Sequence, residues 1–158
     1  MEKTLIKGVA KDNNVTRVSI VGLQDAPGVA FKIFNKLAQN KVNVDIILQS
    51  VGRDNTKDIT FTVPKDQSLQ ATQAIEELKE ILEFNKVSID DNVSKISIVG
   101  AGMESHPGVA AKMFEALSDA GINIQMISTS EIRVSVLIDR KDAENAVKAI
   151  HSKFNLDA

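Results

Sequence analysis

The sequence predicts an α+β fold made of two tandem ferredoxin-like units, each βαββαβ, with an antiparallel sheet and both helices on one face. Three observations lead there. The chain repeats itself: residues 15–22, VTRVSIVG, match residues 93–100, VSKISIVG, and residues 27–44, PGVAFKIFNKLAQNKVNV, match residues 107–124, PGVAAKMFEALSDAGINI. Of these 26 ungapped pairs 13 are identical, and two copies of so long a period make tandem domains, not a solenoid. Within each copy the hydrophobic period switches in the order β-α-β-β-α. One further strand-like segment precedes each copy, which supplies the sixth element of each unit.

The elements follow in order. Val15–Val21 and Val93–Val99 are β-rich and end at Gly22 and Gly100. A loop and a Pro-Gly pair then open a helix, with Pro expected in its first turn. Val29, Ile33, Phe34, Leu37 and Ala38 form its apolar stripe, as do Val109, Met113, Phe114 and Leu117 in the second copy. Gly121 ends the second of these helices. The first copy has Lys41 at that place, and Asn40 is the candidate to end its helix. Strand-like runs follow at Val42–Val51 and Ile59–Val63, joined by a charged turn, GRDNTKD, at 52–58. Their counterparts are Ile122–Ser128 and Ile132–Asp139. A second helix places Leu69, Ala74, Ile75, Leu78 and Leu82 on one face; Ala143, Ala146, Val147 and Ile150 do the same in the second copy.

The last strand decides the domain boundaries. Residues 86–89, KVSI, complete the first unit, whereas nothing strand-like follows the final helix. Leu5–Ala10 precede the first copy as residues 83–88 precede the second. A sheet lacking that strand would leave backbone groups unpaired. The expectation is therefore a nested arrangement: unit 1 at 13–90, and unit 2 at 91–158 completed by the N-terminal strand 1–12.

Composition narrows the function. The chain has 158 residues, 43% hydrophobic and 25% charged, with a net charge of −2. Near-neutral charge supplies no field for a phosphate backbone, and with no Trp, no Tyr and six Phe there is little to stack on bases, which argues against a nucleic-acid binder. The absence of Cys excludes disulfides, thiolate zinc sites and thiol catalysis. No apolar run approaches the roughly 20 residues of a membrane span, and Met1-Glu2-Lys3-Thr4 does not open a signal peptide. A soluble, cytoplasmic protein is expected.

No catalytic set emerges. His106 lies in the loop before the second unit's first helix, where ordering the loop and touching a ligand are both open. His151 lies in a helix tail beside Lys148 and Lys153 and reads as solvated. There is no nucleophile elbow and no P-loop. Gly100-Ala101-Gly102 lacks the third glycine and the parallel βαβ context of a dinucleotide site. Glu76, Glu77, Lys79 and Glu80 read as a solvated helix face. Asp90-Asp91 lies in an inter-unit turn, and no metal site is expected.

The loop Gly22–Ala30, GLQDAPGVA, is the feature suited to a ligand. Backbone N–H groups at a helix start favour a carboxylate. Gly28 permits close approach. Asp25 could pair with an ammonium, with Asp45 as a second acidic contact. Asp25 could equally cap the helix, and the two roles are compatible.

These residues carry a resemblance. The two units resemble paired ACT domains, the amino-acid-sensing modules of metabolic enzymes. ITFTVPKD, SKISIVGAGMESHPGVAAKMFEAL, INIQMISTSEIRVSVLI and QDAPGVA resemble the regulatory half of aspartate kinase, and the likeness extends over essentially all 158 residues. The amino-kinase catalytic domain that would precede this region is not in the sequence. A chain opening Met1-Glu2-Lys3 is similar to the small regulatory β subunit of some aspartate kinases, and an excised regulatory fragment would look the same.

The resemblance implies a role: binding lysine, threonine or both, where the first unit of one chain meets the second unit of another, for feedback inhibition of aspartate phosphorylation. It implies a homodimer and a catalytic aspartate kinase partner. It implies no cofactor for this chain, since ATP and magnesium belong to the catalytic domain. The implied effector contacts are Asp25, Pro27, Gly28, Val29, Ala30, Asn43, Val44, Asp45 and Gln49 from the first unit. The second unit contributes Asn123, Ile124, Ser130 and Glu131. A pseudo-symmetric second pocket would use Met103, Ser105, His106, Pro107, Gly108 and Val109. There Ser105 stands where Asp25 stands and Gln125 where Asp45 stands, so it offers fewer acids to an ammonium. The alternative is a standalone ACT-type sensor acting on a different enzyme.

Overall fold

The computed structural model describes residues 6–100 and 108–154. The chain divides into two compact units, residues 14–91 and residues 1–13 with 92–158. In the first unit β2 (Thr16–Gln24), α1 (Val29–Gln39), β3 (Ile47–Val51), β4 (Thr56–Val63), α2 (Ser68–Leu78) and β5 (Lys86–Asp90) follow one another. The sheet order is β3-β4-β2-β5, and every pairing is antiparallel. The second unit contains β1 (Ile6–Asp12), β6 (Val93–Gly100), α3 (Gly108–Asp119), β7 (Met126–Thr129), β8 (Arg133–Asp139) and α4 (Ala143–Phe154). Its order is β1-β6-β8-β7. Thus β1 pairs with β6 as β5 pairs with β2. Side chains reinforce that attachment. Lys11 on β1 forms an ion pair with Glu144 on α4, and Arg140 Nη2 donates to the Asn13 carbonyl at 2.8 Å.

Alternation along the strands explains why both helices lie on one face. In the first unit Val18 and Ile20 of β2, and Ile59, Phe61 and Val63 of β4, point into a core shared with Ile33 and Leu37 of α1 and Ala74, Ile75 and Leu78 of α2. In the second unit Ile96, Ile98, Val134, Val136 and Ile138 meet Met113, Leu117, Ala146 and Ile150. The opposite faces carry hydroxyl pairs: Ser19 with Thr60 at 2.9 Å, and Ser97 with Ser135 at 2.7 Å.

Several boundaries differ from the sequence reading. Residues 42–46 are not strand, and β3 begins at Ile47. The hairpin turn is shorter than 52–58: β4 starts at Thr56, with Asp54 and Asn55 both left-handed (φ 55 and 61). Consecutive left-handed residues match the twist of the flanking strands. Pro27 is not in the first turn of α1, which begins at Val29 with Gly28 as its N-cap. Asn40 is not the left-handed stop of that helix. Lys41 takes that conformation (φ 61), as Gly121 does in the second unit (φ 72). The bonds Val42 N to Leu37 O and Ile122 N to Leu117 O, both 2.9 Å, close the same terminal motif in each repeat. His151 is partly buried in the last turn of α4. Among the described residues no helix is long and apolar enough to cross a membrane.

Candidate functional site

The β2–α1 loop is positioned by a bulge. Pairing of β2 with β4 shifts register between Ile20 and Leu23, around Gly22 (φ 80). The extra residue returns Leu23 to the core, where it is fully buried. Asp58 Oδ1 accepts the Gly22 N–H at 3.0 Å. A Cβ at Gly22 would lie 2.5 Å from the Asn85 amide, so no larger residue fits there unaltered. Beyond the bulge the Asp25 N–H donates to the Asn55 carbonyl at 2.7 Å, which ties the loop to the β3–β4 hairpin.

The electrostatics of the loop centre on one acid and one base. Asp25 is half-exposed, and its Oδ1 lies 3.7 Å from Lys57 Nζ. Lys57 is 7% exposed. It is register-paired with Leu23 and shares the helix-facing side of β4 with Ile59 and Phe61. Asp25 does not cap α1: Gly28 is the N-cap, and no side chain bonds the first-turn N–H groups there. A Cβ at Gly28 (φ 89) would meet nothing within 4 Å, so the space beside Gly28 is open. Val29 is buried, and Ala30 packs against the core, so these two residues offer backbone and not side chain to a ligand.

The structure separates Asn43, Val44 and Asp45 from Asp25. The Asp45 N–H donates to the Thr62 carbonyl at 3.0 Å, and the Asn43 N–H to Gln67 Oε1 at 2.8 Å. Lys57 and Thr62 lie five residues apart on β4, about 16 Å at the usual strand rise. Asp25 and Asp45 therefore stand at opposite ends of the sheet. Val44 packs partly buried on the core beside Asp45, and Gln49 is exposed on the edge strand β3, register-paired with Ile59.

In the second unit the same two ends are occupied. Asn123 is exposed and Ile124 packs on the core, next to Gln125, whose N–H bonds the Leu137 carbonyl at 2.8 Å. Ser130 and Glu131 are exposed in the β7–β8 turn, closed by Ser130 N to Arg133 O at 2.8 Å. Gly108 is exposed at the start of α3, and Val109 is buried in the core. Met103, Ser105, His106 and Pro107 lie outside the described residues.

Comparison with known proteins identifies this architecture. The ACT domain family matches residues 18–78 and 96–154. The regulatory subunit of aspartate kinase from Thermus thermophilus, in its ligand-free form, superposes with a TM-score of 0.91 at 39% identity, over 95% of this chain and 99% of that one. The chain belongs to the aspartate kinase regulatory family, with two ACT domains. A structure of aspartokinase α and β subunits matches at a TM-score of 0.89 and 45% identity, over 96% of this chain and 99% of that chain. The aspartokinases of Pseudomonas aeruginosa and Mycolicibacterium smegmatis are 48% and 46% identical over 100% and 99% of this chain. This chain spans 38% of the length of each of those two proteins.

Within these tandem ACT domains, Lys57 and Asp58 escaped the sequence reading because they fell in a stretch read as a charged turn. The signal was present. Ile59, Phe61 and Val63 point inward at period two, and extending that alternation back two residues places Lys57 inward as well.

Proposed function

We propose that the chain is the amino-acid-sensing regulatory region of an aspartate kinase, binding threonine, lysine or both for feedback inhibition in the cytoplasm. The N-terminus of α1, whose Gly28 cap brings no side chain, beside the half-exposed Asp25 carries this reading. A free α-amino acid presents one carboxylate and one ammonium. The first-turn N–H groups suit the former and Asp25 the latter. Asp25, Pro27, Gly28, Val29 and Ala30 form the primary contact. Asn43, Val44, Asp45 and Gln49, with Asn123, Ile124, Ser130 and Glu131 of a second copy, complete the proposed inter-chain sites. The pocket built on Ser105 and Gly108 is the weaker partner, since serine offers no charge to an ammonium.

In the proposed mechanism the effector bridges two copies in a homodimer and favours the arrangement it binds more tightly. It shifts the equilibrium only by that difference in affinity, and the catalytic region, on this or a partner chain, responds to the shift. The test is aspartate phosphorylation in an assembly of this chain with an aspartate kinase catalytic region. Threonine or lysine should inhibit the assembly, and Asp25→Ala should relieve inhibition without unfolding the chain. Inhibition unchanged by Asp25→Ala, or capture of an enzyme other than an amino-kinase, would contradict the reading.

A further inference from the structure

The first unit's sheet ends at β3 on one side and at β5 on the other. Among the described residues β5 pairs with β2 alone. An edge strand is a template for another chain, and proteins blunt such edges with lysines or by covering them. The second unit covers the counterpart edge: Val9 of β1 packs on the core, and Lys11 is ion-paired with Glu144 of α4. In the first unit a groove of about 780 Å³ opens instead between α2 and β5, over Ile75, Leu82, Phe84, Val87 and Ile89. Ile89 is 45% exposed.

The charges on β5 say what fits this edge. The strand reads Lys86-Val87-Ser88-Ile89-Asp90. Register with β2 sets Val87 and Ile89 opposite Ile20 and Val18 on the helix-facing side, and Lys86, Ser88 and Asp90 on the other. Laid antiparallel against a second copy with Ser88 opposite the partner's Ser88, the strand matches itself at every position. Lys86 meets the partner's Asp90 and Val87 meets the partner's Ile89, each twice. The lysine that repels other basic strands therefore meets an acid in this pairing. Asp90 also lies 3.5 Å from Arg17 of β2, and a carboxylate has acceptor sites enough for both cations. Parallel pairing in register would set lysine against lysine.

We propose that β5 is a self-pairing edge: two copies of the chain join antiparallel about a two-fold axis at Ser88, with Lys86 against the partner's Asp90, so that two four-stranded sheets become one. The contact lies across the sheet from β3 and Gln49, so it is separate from the inter-chain effector sites and does not depend on them. A contact of five residues is small, so the association is weak and grows with protein concentration.

The chain contains no cysteine, so single cysteines report the register. Lys86→Cys, Ser88→Cys and Asp90→Cys are each oxidised, and the rate of disulfide-linked dimer formation is measured. Position 88 meets itself within disulfide reach, whereas positions 86 and 90 stand four residues, about 13 Å, from their own copies. Ser88→Cys should therefore cross-link about tenfold faster than the other two. Adding Lys86→Glu to Ser88→Cys sets acid against acid twice and should slow cross-linking about tenfold at low salt, while adding Lys86→Arg should leave the rate unchanged. Lys86 and Ser88 are exposed, so these variants keep the parental fold, which circular dichroism checks. Equal rates at the three positions, as parallel pairing or chance collision would give, overturn the proposal. So does a Ser88→Cys rate that Lys86→Glu leaves unchanged.

Discussion

Asp58 Oδ1 accepts the backbone N–H of Gly22 at 3.0 Å, so the side chain of one strand satisfies the donor that the bulge in its neighbour removes from the ladder. The bulge returns Leu23 to the core and aims the following loop. Gly22→Ala should destabilise the first unit by about 1–3 kcal/mol through its positive φ, with the Asn85 contact adding to the loss. Asp58→Ala should cost about 1–3 kcal/mol by orphaning that N–H. Urea unfolding of both variants checks the pair. Parental stability in Gly22→Ala would contradict this account of the bulge.

Lys41 pays a conformational cost that Gly121 avoids. Both stand in the same left-handed position after their helices, and a side chain there costs about 1–2 kcal/mol. Lys41→Gly should therefore stabilise the chain by about 1 kcal/mol, less the added freedom of glycine in the unfolded state. A lower denaturation midpoint in that variant would contradict the assignment.

The N-terminal strand belongs to the second sheet, where it covers the edge of β6. Removing residues 1–12 deletes that strand and the Lys11–Glu144 ion pair together. Amide hydrogen exchange should accelerate selectively across 93–100, while 16–24 keep their protection. Equal protection of 93–100 with and without the segment would contradict the pairing.

Two carboxylates of the second unit titrate with folding. A hydrogen bond and charge attraction from Lys11 hold Glu144 below the usual glutamate range, and Lys153 does the same to Glu115. A folded pKa below the unfolded one means stabilisation that is present above the unfolded value and lost as pH falls through the folded one. Lys153 is raised, chiefly by its hydrogen bond to Glu115, so its contribution holds below the ordinary lysine range and disappears as pH rises through the folded value. Melting temperature should therefore fall on both limbs. Glu115→Gln with Glu144→Gln should flatten the acid limb, and an acid limb as steep as the parent's would count against these pairs.

Much of the fold was legible because the repeat displays each element twice. Val29, Ile33 and Leu37 fix the buried face of α1 by spacing, and Val109, Met113 and Leu117 repeat it for α3. The helix stop at Lys41 was not legible from residue type, since the tertiary contacts that close the motif override a lysine's reluctance to adopt positive φ. The loop Asp25–Gly28 was legible as a site candidate from Gly and Asp alone. Whether Asp25 caps α1 was not, because that depends on side-chain direction, and the structure points it toward Lys57. The separation of Asp25 from Asp45 follows from strand direction and register, which residue types do not encode.

On the proposed function, this tandem-ACT chain binds an end-product amino acid through the Asp25 loop. Thermal unfolding with threonine, lysine, methionine and aspartate, at two protein concentrations, tests it most directly. At a hundred times its dissociation constant a bound effector stabilises by about 2.7 kcal/mol, a shift of several degrees for a chain this size. Such a shift is expected with threonine or lysine, larger at the higher protein concentration and diminished in Asp25→Ala. No shift with either amino acid, or one that Asp25→Ala leaves intact, would contradict it.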